Sequence, residues 1–288
     1  MGWFRRRQDP ARDPEDLIVQ VFAEEGITGE VLPEGALRTP DGAVYGFAGI
    51  AERLRDLPPA EHAAAVRAHV ALLRARVDDG GPRTVADAPD TTLLRIHHRD
   101  AVPPESLVHA RPLLDPLYVL PAVDLPDVVS TIMDPDAFGG WDAIWPVAMA
   151  NLRALPLPDH QTLAEGAVHV FLTDDFFGAT RLLDVDRLLD EVGAPPAPRH
   201  LLVTVPNRHV LAVVVLQPDD PHAALEVLAQ IGHGELDRPG ALIPDVLYRG
   251  PDGLLQRISS TREDGTVDVV VEGAFADALE ELGLIQQG

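Results

Sequence analysis

The chain has 288 residues, 46% of them hydrophobic, with 46 acidic side chains against 23 basic ones and a formal net charge of −23. Every basic side chain other than histidine is an arginine, so Schiff-base, P-loop-lysine and kinase-lysine chemistry is excluded; the lack of cysteine excludes thiolate catalysis, disulfides and cysteine-held metals. The acidic balance argues against nucleic acid as a partner, because a phosphate backbone demands a basic face.

The first twelve residues run the other way, with Arg5, Arg6, Arg7 and Arg12 against Asp9, and residues 1–13 are expected to form a flexible basic terminus. They lack the apolar stretch of a signal peptide, and no later window approaches 18 charge-free apolar residues. A cytoplasmic protein without integral membrane association is expected.

Leu17, Ile18, Val21 and Phe22 recur at helical spacing, and Gly26 ends the run. Val31–Leu37 and Ala43–Phe47 flank Thr39-Pro-Asp-Gly42, a turn sequence, and predict a hairpin. A helix from about Pro59 to Val77 completes a helix–hairpin–helix α+β unit over residues 14–80. The Asp78-Asp-Gly-Gly-Pro82 stretch reads as a linker.

A strand is predicted over Thr92–His98. Seven prolines in residues 103–135 favour edge strands and rigid turns around Leu117–Val123 and Val128–Met133. Residues 81–135 therefore read as a Pro-rich strand segment. Trp141, Ile144, Trp145, Ala148, Met149, Leu152 and Leu155 then mark a helix, with Pro146 tolerable in its first turn.

The strand Ala167–Thr173 leads into Asp174-Asp175 and a helix over about Ala179–Val192. Leu201–Val205 and Val210–Leu216 form a hairpin whose second strand is apolar on both faces and hence central. If Val205 paired with His209, His200 would lie opposite Val214. A helix (about Pro221–Ile231), strands near Ile243–Tyr248 and Leu254–Ser259, and a hairpin through Glu263-Asp-Gly265 follow. The chain closes with Val267–Val271 and the helix Ala274–Leu282. This divides the remainder into a C-terminal α+β domain, 136–260, and a strand–helix tail, 261–288. The predicted class is α+β, mainly antiparallel sheets built from hairpins with helices packed on one face.

Several short segments carry a family likeness. Asn151-Leu-Arg-Ala-Leu-Pro156 ends a helix, and the strand Val168–Thr173 precedes Asp174-Asp175. Thr180-Arg-Leu-Leu183 and Val203-Thr-Val-Pro206 follow in the same order. Over about residues 15–260 the chain resembles the uncharacterised bacterial YtpQ-like family. The Pro-rich stretch 103–135 and the tail after Thr261 depart from its pattern. The resemblance implies an α+β fold in a soluble bacterial protein and brings no activity with it. The order of elements in the first 80 residues also resembles type III secretion chaperone-like domains.

Eleven histidines form no H-E-x-x-H motif and no i, i+4 pair. His97 and His98 are adjacent in a strand and point to opposite faces. Asp134-Pro-Asp136 opens like a calcium loop, but Phe138 and Trp145 stand where ligands are required. The serines, Ser106, Ser130, Ser259 and Ser260, lie in no nucleophile motif. No catalytic residue, cofactor or metal site is expected.

The strongest candidates for a partner or ligand site are Asp174, Asp175 and Arg181, placed where a buried strand ends and a helix begins. Helix capping is the simpler role for the two aspartates. Asn151 and Arg153, at a helix end, are weaker candidates with local hydrogen bonding as their alternative. Trp141 and Trp145 are expected to be core. The expected function is that of a non-catalytic protein-binding adaptor, chaperone or regulator whose partner is another protein. The alternatives are a metal-dependent hydrolase using Asp174, Asp175 and His169, and a small-molecule sensor.

Overall fold

A computed structural model describes residues 14–32, 35–40, 44–78, 81–125, 128–217, 222–236, 240–261 and 267–285. The basic terminus, Asp41 and Gly42 of the first predicted turn, and the whole Glu263–Gly265 turn lie outside the described residues. The chain divides into two compact units, Met1–Gly81 and Pro82–Gly288. The Pro-rich segment thus belongs to the same unit as everything that follows it. No helix among the described residues is long and apolar enough to cross a membrane.

The smaller unit runs α1 (Pro14–Glu24), β1 (Glu30–Leu32), β2 (Ala36–Arg38), β3 (Val44–Gly46), α2 (Ala48–Asp56) and α3 (His62–Asp78). Its strands form an antiparallel sheet in the order β1-β2-β3. The helical spacing of α1 buries Ile18, Val21 and Phe22 against Leu37, Phe47, Val66 and Val70. Phe22 and Phe47 meet edge to face at 6.1 Å, a favoured aromatic geometry. The sequence reading passed over α2, which Ile50, Leu54 and the partly buried Ala51 anchor in this core.

The larger unit contains β4 (Thr92–His98), α4 (Pro104–Leu107), β5 (Arg111–Leu114), β6 (Leu117–Leu125), β7 (Val128–Thr131), α5 (Trp141–Ala154), β8 (Asp159–Leu163) and β9 (Val168–Leu172). It continues through α6 (Val185–Glu191), β10 (Leu201–Thr204), β11 (Val210–Val215), α7 (His222–Gly234), β12 (Leu247–Arg249), β13 (Leu255–Arg257), β14 (Ser259–Thr261), β15 (Val267–Val269) and α8 (Gly273–Glu281). Six strands form one sheet in the order β13-β12-β10-β11-β9-β8; β4, β6, β5 and β7 form a second, and β14 pairs with β15. The strand pairs are antiparallel, and the fold is α+β.

Period-two alternation divides the six-stranded sheet between two cores. Val168, Val170, Leu202, Ala212 and Val214 pack with α7 and α8 through Leu228, Phe275 and Leu279. On the opposite face Phe171, Leu201, Val203, Leu211 and Val213 share a core with α5, α6 and the second sheet, through Ile144, Ala148, Leu188, Leu94 and Val119. β11 is buried nearly throughout, as a central apolar strand should be.

Four local expectations are corrected. The stretch at Leu117–Val123 is not an edge: β6 is flanked by β4 on one side and by β5 and β7 in succession on the other. Pro121 is accommodated because it stands between the residues paired with β5 and those paired with β7. Pro146 lies in the second turn of α5, not the first, so it removes a helical hydrogen bond. The predicted helix 179–192 is a 3₁₀ turn, Ala179–Asp184, followed by α6. Leu201 pairs with Val215, which places His200 opposite Leu216, whose amide donates to its carbonyl.

Candidate functional site

In the larger unit, charged side chains from three segments gather around residues 173–181. β4 supplies Arg95 and His97, which share one face of the strand because they are two residues apart. Asp124 belongs to the end of β6, and Thr131 to β7, where it pairs with Ala122. The hairpin between β10 and β11 contributes Arg208 and His209.

Backbone contacts fix the loop and the hairpin together. Thr173 N donates to His209 O at 3.1 Å, and Ala179 N donates to Arg208 O at 3.0 Å. Arg208 N donates to Gly240 O, and the Asn207 side chain donates to Glu235 O while accepting from His209 N. His209 Nε2 accepts from Arg208 Nε at 2.9 Å, so its Nδ1 carries the proton given to Thr173 O at 3.1 Å.

Asp175 serves two roles at once. Its Oδ1 accepts the Phe177 amide at 2.8 Å, and its Oδ2 accepts from Arg181 Nη2 at 3.0 Å. Arg181 is almost wholly buried, with a side-chain exposure of 3% against 32% for Asp175. Its Nε and Nη1 are sealed from solvent and meet no acceptor among the described residues; the same holds for Arg95 Nε and His97 Nε2. Native interiors satisfy nearly all such groups, and an orphaned buried donor costs about 1–3 kcal/mol.

Phe176 forms an apolar wall for the arginines. The Arg208 guanidinium lies 4.3 Å from the ring centroid and that of Arg95 5.8 Å, a cation–π arrangement. Burial and the neighbouring Arg208 charge lower the Arg95 pKa to about 9. His97 is held well below the ordinary histidine range by burial and then by Arg95. The Asp124 carboxyl is pushed up by burial and then by Asp175. Chemically the cluster is an array of hydrogen-bond donors beside a carboxyl group whose charged form is disfavoured.

Of the residues singled out from sequence, Asp175 and Arg181 meet here, whereas Asp174 is exposed beside them. Asn151 lies elsewhere: its Nδ2 donates to Pro89 O at 2.7 Å and Thr92 O at 2.8 Å, fastening α5 to the start of β4. Arg153 forms an exposed pair with Asp184 at 3.0 Å. Trp141 and Trp145 are half-buried, and the Arg111 guanidinium stands 4.7 Å from each ring. His169 stacks on His160, with Nδ1 and Nε2 3.1 Å apart. The grouping of three possible metal ligands found among the described residues is His109, Asp134 and Asp136; Asp174, Asp175 and His169 have no part in it.

Sequence reasoning passed over Arg95, Asp124, Phe176 and Arg208, and weighed His97 only together with His98 in the search for metal ligands. A signal for two of them was present: arginine and histidine alternate with the buried Leu94 and Ile96 in β4. Comparison with protein-family models, with curated proteins and with solved structures returns no match.

Proposed function

We propose that this chain is a non-catalytic cytoplasmic regulator of the YtpQ-like kind that senses a small molecule through the polar cluster of its larger unit. One observation carries the reading. Arg181 holds two nitrogen donors inside the protein with no acceptor among the described residues. A site whose polar groups converge within an apolar surround is the ordinary form of a small-molecule pocket. Perturbed titration of Arg95, His97 and Asp124 in the same place accords with it. The test is thermal denaturation of the full chain against a metabolite collection. A bound ligand raises the melting temperature further with each increase in its concentration, and Arg181→Gln, once circular dichroism shows the variant folded, abolishes the rise. Absence of any stabilising compound refutes the proposal.

A second reading, that of a protein-binding adaptor, is favoured by β8. This strand is at the edge of the six-stranded sheet and is exposed along its whole length. Such an edge accepts an added strand from a partner. The net charge of −23 selects basic or polar partners and disfavours nucleic acid. Lysines at Gln161 and Thr162 would block strand addition; loss of a specific complex on that change supports the adaptor, and its persistence refutes it.

A further inference from the structure

His160 and His169 stand at the outer margin of the six-stranded sheet, on β8 and β9. In the register of that pair His160 lies opposite Phe171, and His169 lies opposite Thr162. Side chains two apart on a strand share a face, so the two histidines are diagonal neighbours on one side of the sheet. His160 Nε2 and His169 Nδ1 are 3.1 Å apart, with ring centroids 5.3 Å apart and planes within 16° of parallel. The His160 ring also stacks on Phe171, at 5.0 Å between centroids. His160 is exposed and His169 half-buried.

A contact between two imidazole nitrogens needs a hydrogen on one and a lone pair on the other, so the two atoms cannot both be protonated. Among the described residues neither ring is engaged by a carboxylate; the partner of His169 is this second imidazole, not the aspartates that the sequence suggested. What the pair offers is two nitrogen donors within reach of one ion. Zinc binds histidine nitrogen at about 2.0–2.1 Å, so nitrogens 3.1 Å apart subtend about 100° at the metal, between the octahedral and tetrahedral angles. The ion takes both lone pairs, and the bridging hydrogen moves to the other nitrogen of its own ring by exchange with water, leaving both rings neutral. Seating the ion off the line between the nitrogens needs a turn of the His160 ring, which its exposed place on the outermost strand permits.

We infer that His160 and His169 form a two-histidine site for a late first-row divalent ion, of which zinc is the representative, with water completing the coordination. Imidazole donors suit zinc, copper and nickel, whereas magnesium and calcium require oxygen. The ion would clip β8 to β9 by its side chains, along an edge whose five residues are exposed and which pairs on one side alone. His109, Asp134 and Asp136 make a different offer, mainly of carboxylate oxygen.

The test titrates the full chain, ¹⁵N-labelled in its histidines, with zinc chloride at neutral pH and follows the ring nitrogens; magnesium chloride is the control. The signals of His160 Nε2 and His169 Nδ1 are expected to move together and to saturate with zinc, and to ignore magnesium. His160→Gln, at an exposed position, is expected to weaken the zinc response of His169 by about tenfold or more, since even a group that only supports a ligand is worth that much. Asp134→Asn is expected to leave both ring responses unchanged, which separates this site from the grouping around His109. Three results overturn the inference: rings of His160 and His169 that zinc does not shift, a His169 response that His160→Gln leaves undiminished, or a response of both rings that Asp134→Asn removes. The sensing role is tested separately, through Arg181→Gln, and stands or falls without regard to this outcome.

Discussion

Gly178 approaches His209 so closely that a Cβ on the glycine would lie 2.7 Å from the histidine's carbonyl carbon and oxygen, and 2.7 Å from Thr173 Oγ1. The backbone of Gly178 is in the ordinary right-handed helical region, so the requirement is for space alone. Gly178→Ala is expected to push the 173–181 segment off the hairpin and to destabilise by about 1–3 kcal/mol. Urea denaturation measures it, and wild-type stability in this variant would show that the close approach is dispensable.

The two adjacent aspartates are expected to behave differently. Asp175→Ala leaves the buried Arg181 charge without its carboxylate and the Phe177 amide without its acceptor. Removing one partner of a buried pair costs about 3–5 kcal/mol. Asp174→Ala, at an exposed position, leaves stability unchanged. Parallel denaturant titrations compare them, and equal losses would contradict this assignment.

A similar contrast holds on α5. Asn151→Ala deprives the Pro89 and Thr92 carbonyls of a shared donor and is expected to cost about 1–3 kcal/mol. Arg153→Ala opens an exposed pair whose carboxylate keeps Arg187 at 2.9 Å, and little change is expected. The midpoints of thermal unfolding for the two variants decide the matter.

His97 gives the stability of the larger unit a pH dependence of known sign. Burial lowers its folded-state pKa well below 6.5, so below pH 6.5 the unfolded chain takes up a proton that the folded chain refuses. Stability contributed here is complete above pH 6.5 and declines as pH falls. His97→Gln is expected to flatten that decline between pH 6.5 and 5. An unaltered pH profile in the variant would exclude His97 as its source.

Much of the fold was legible from local pattern. The helical spacing in α1 and α5, the doubly apolar β11 and the Asp252-Gly253 turn between β12 and β13 all depend on neighbours in sequence. Errors came where distant segments decide. Pro121 marks an edge by local rule, yet it fits a central strand because it stands where pairing with β5 has ended and pairing with β7 begins, its carbonyl still accepting from Ile132 N at 2.8 Å. The 3₁₀ geometry of Ala179–Asp184 accompanies anchoring to the hairpin at Arg208, which no periodicity reports.

The candidate site divides the same way. Asp175 and Arg181 are six residues apart and belong to one strand–turn–helix signal, so their proximity was readable. Arg95, Asp124 and Arg208 come from separate strands and a hairpin, and a single sequence carries no mark of their meeting. Arg95 and His97, alternating with the buried Leu94 and Ile96, were the one local anomaly. Charged groups there oppose the burial that the surrounding pattern imposes.

Thr180, the residue before Arg181, accepts a hydrogen bond from the Ile96 amide at 3.3 Å. β4 is the outermost strand of its sheet, and this hydroxyl occupies a donor that would otherwise be open to a foreign strand. One short turn thus bears both the latch on the sheet margin and the arginine with unmet donors. Hydrogen exchange at a single amide, Ile96, therefore reports how firmly that latch is closed.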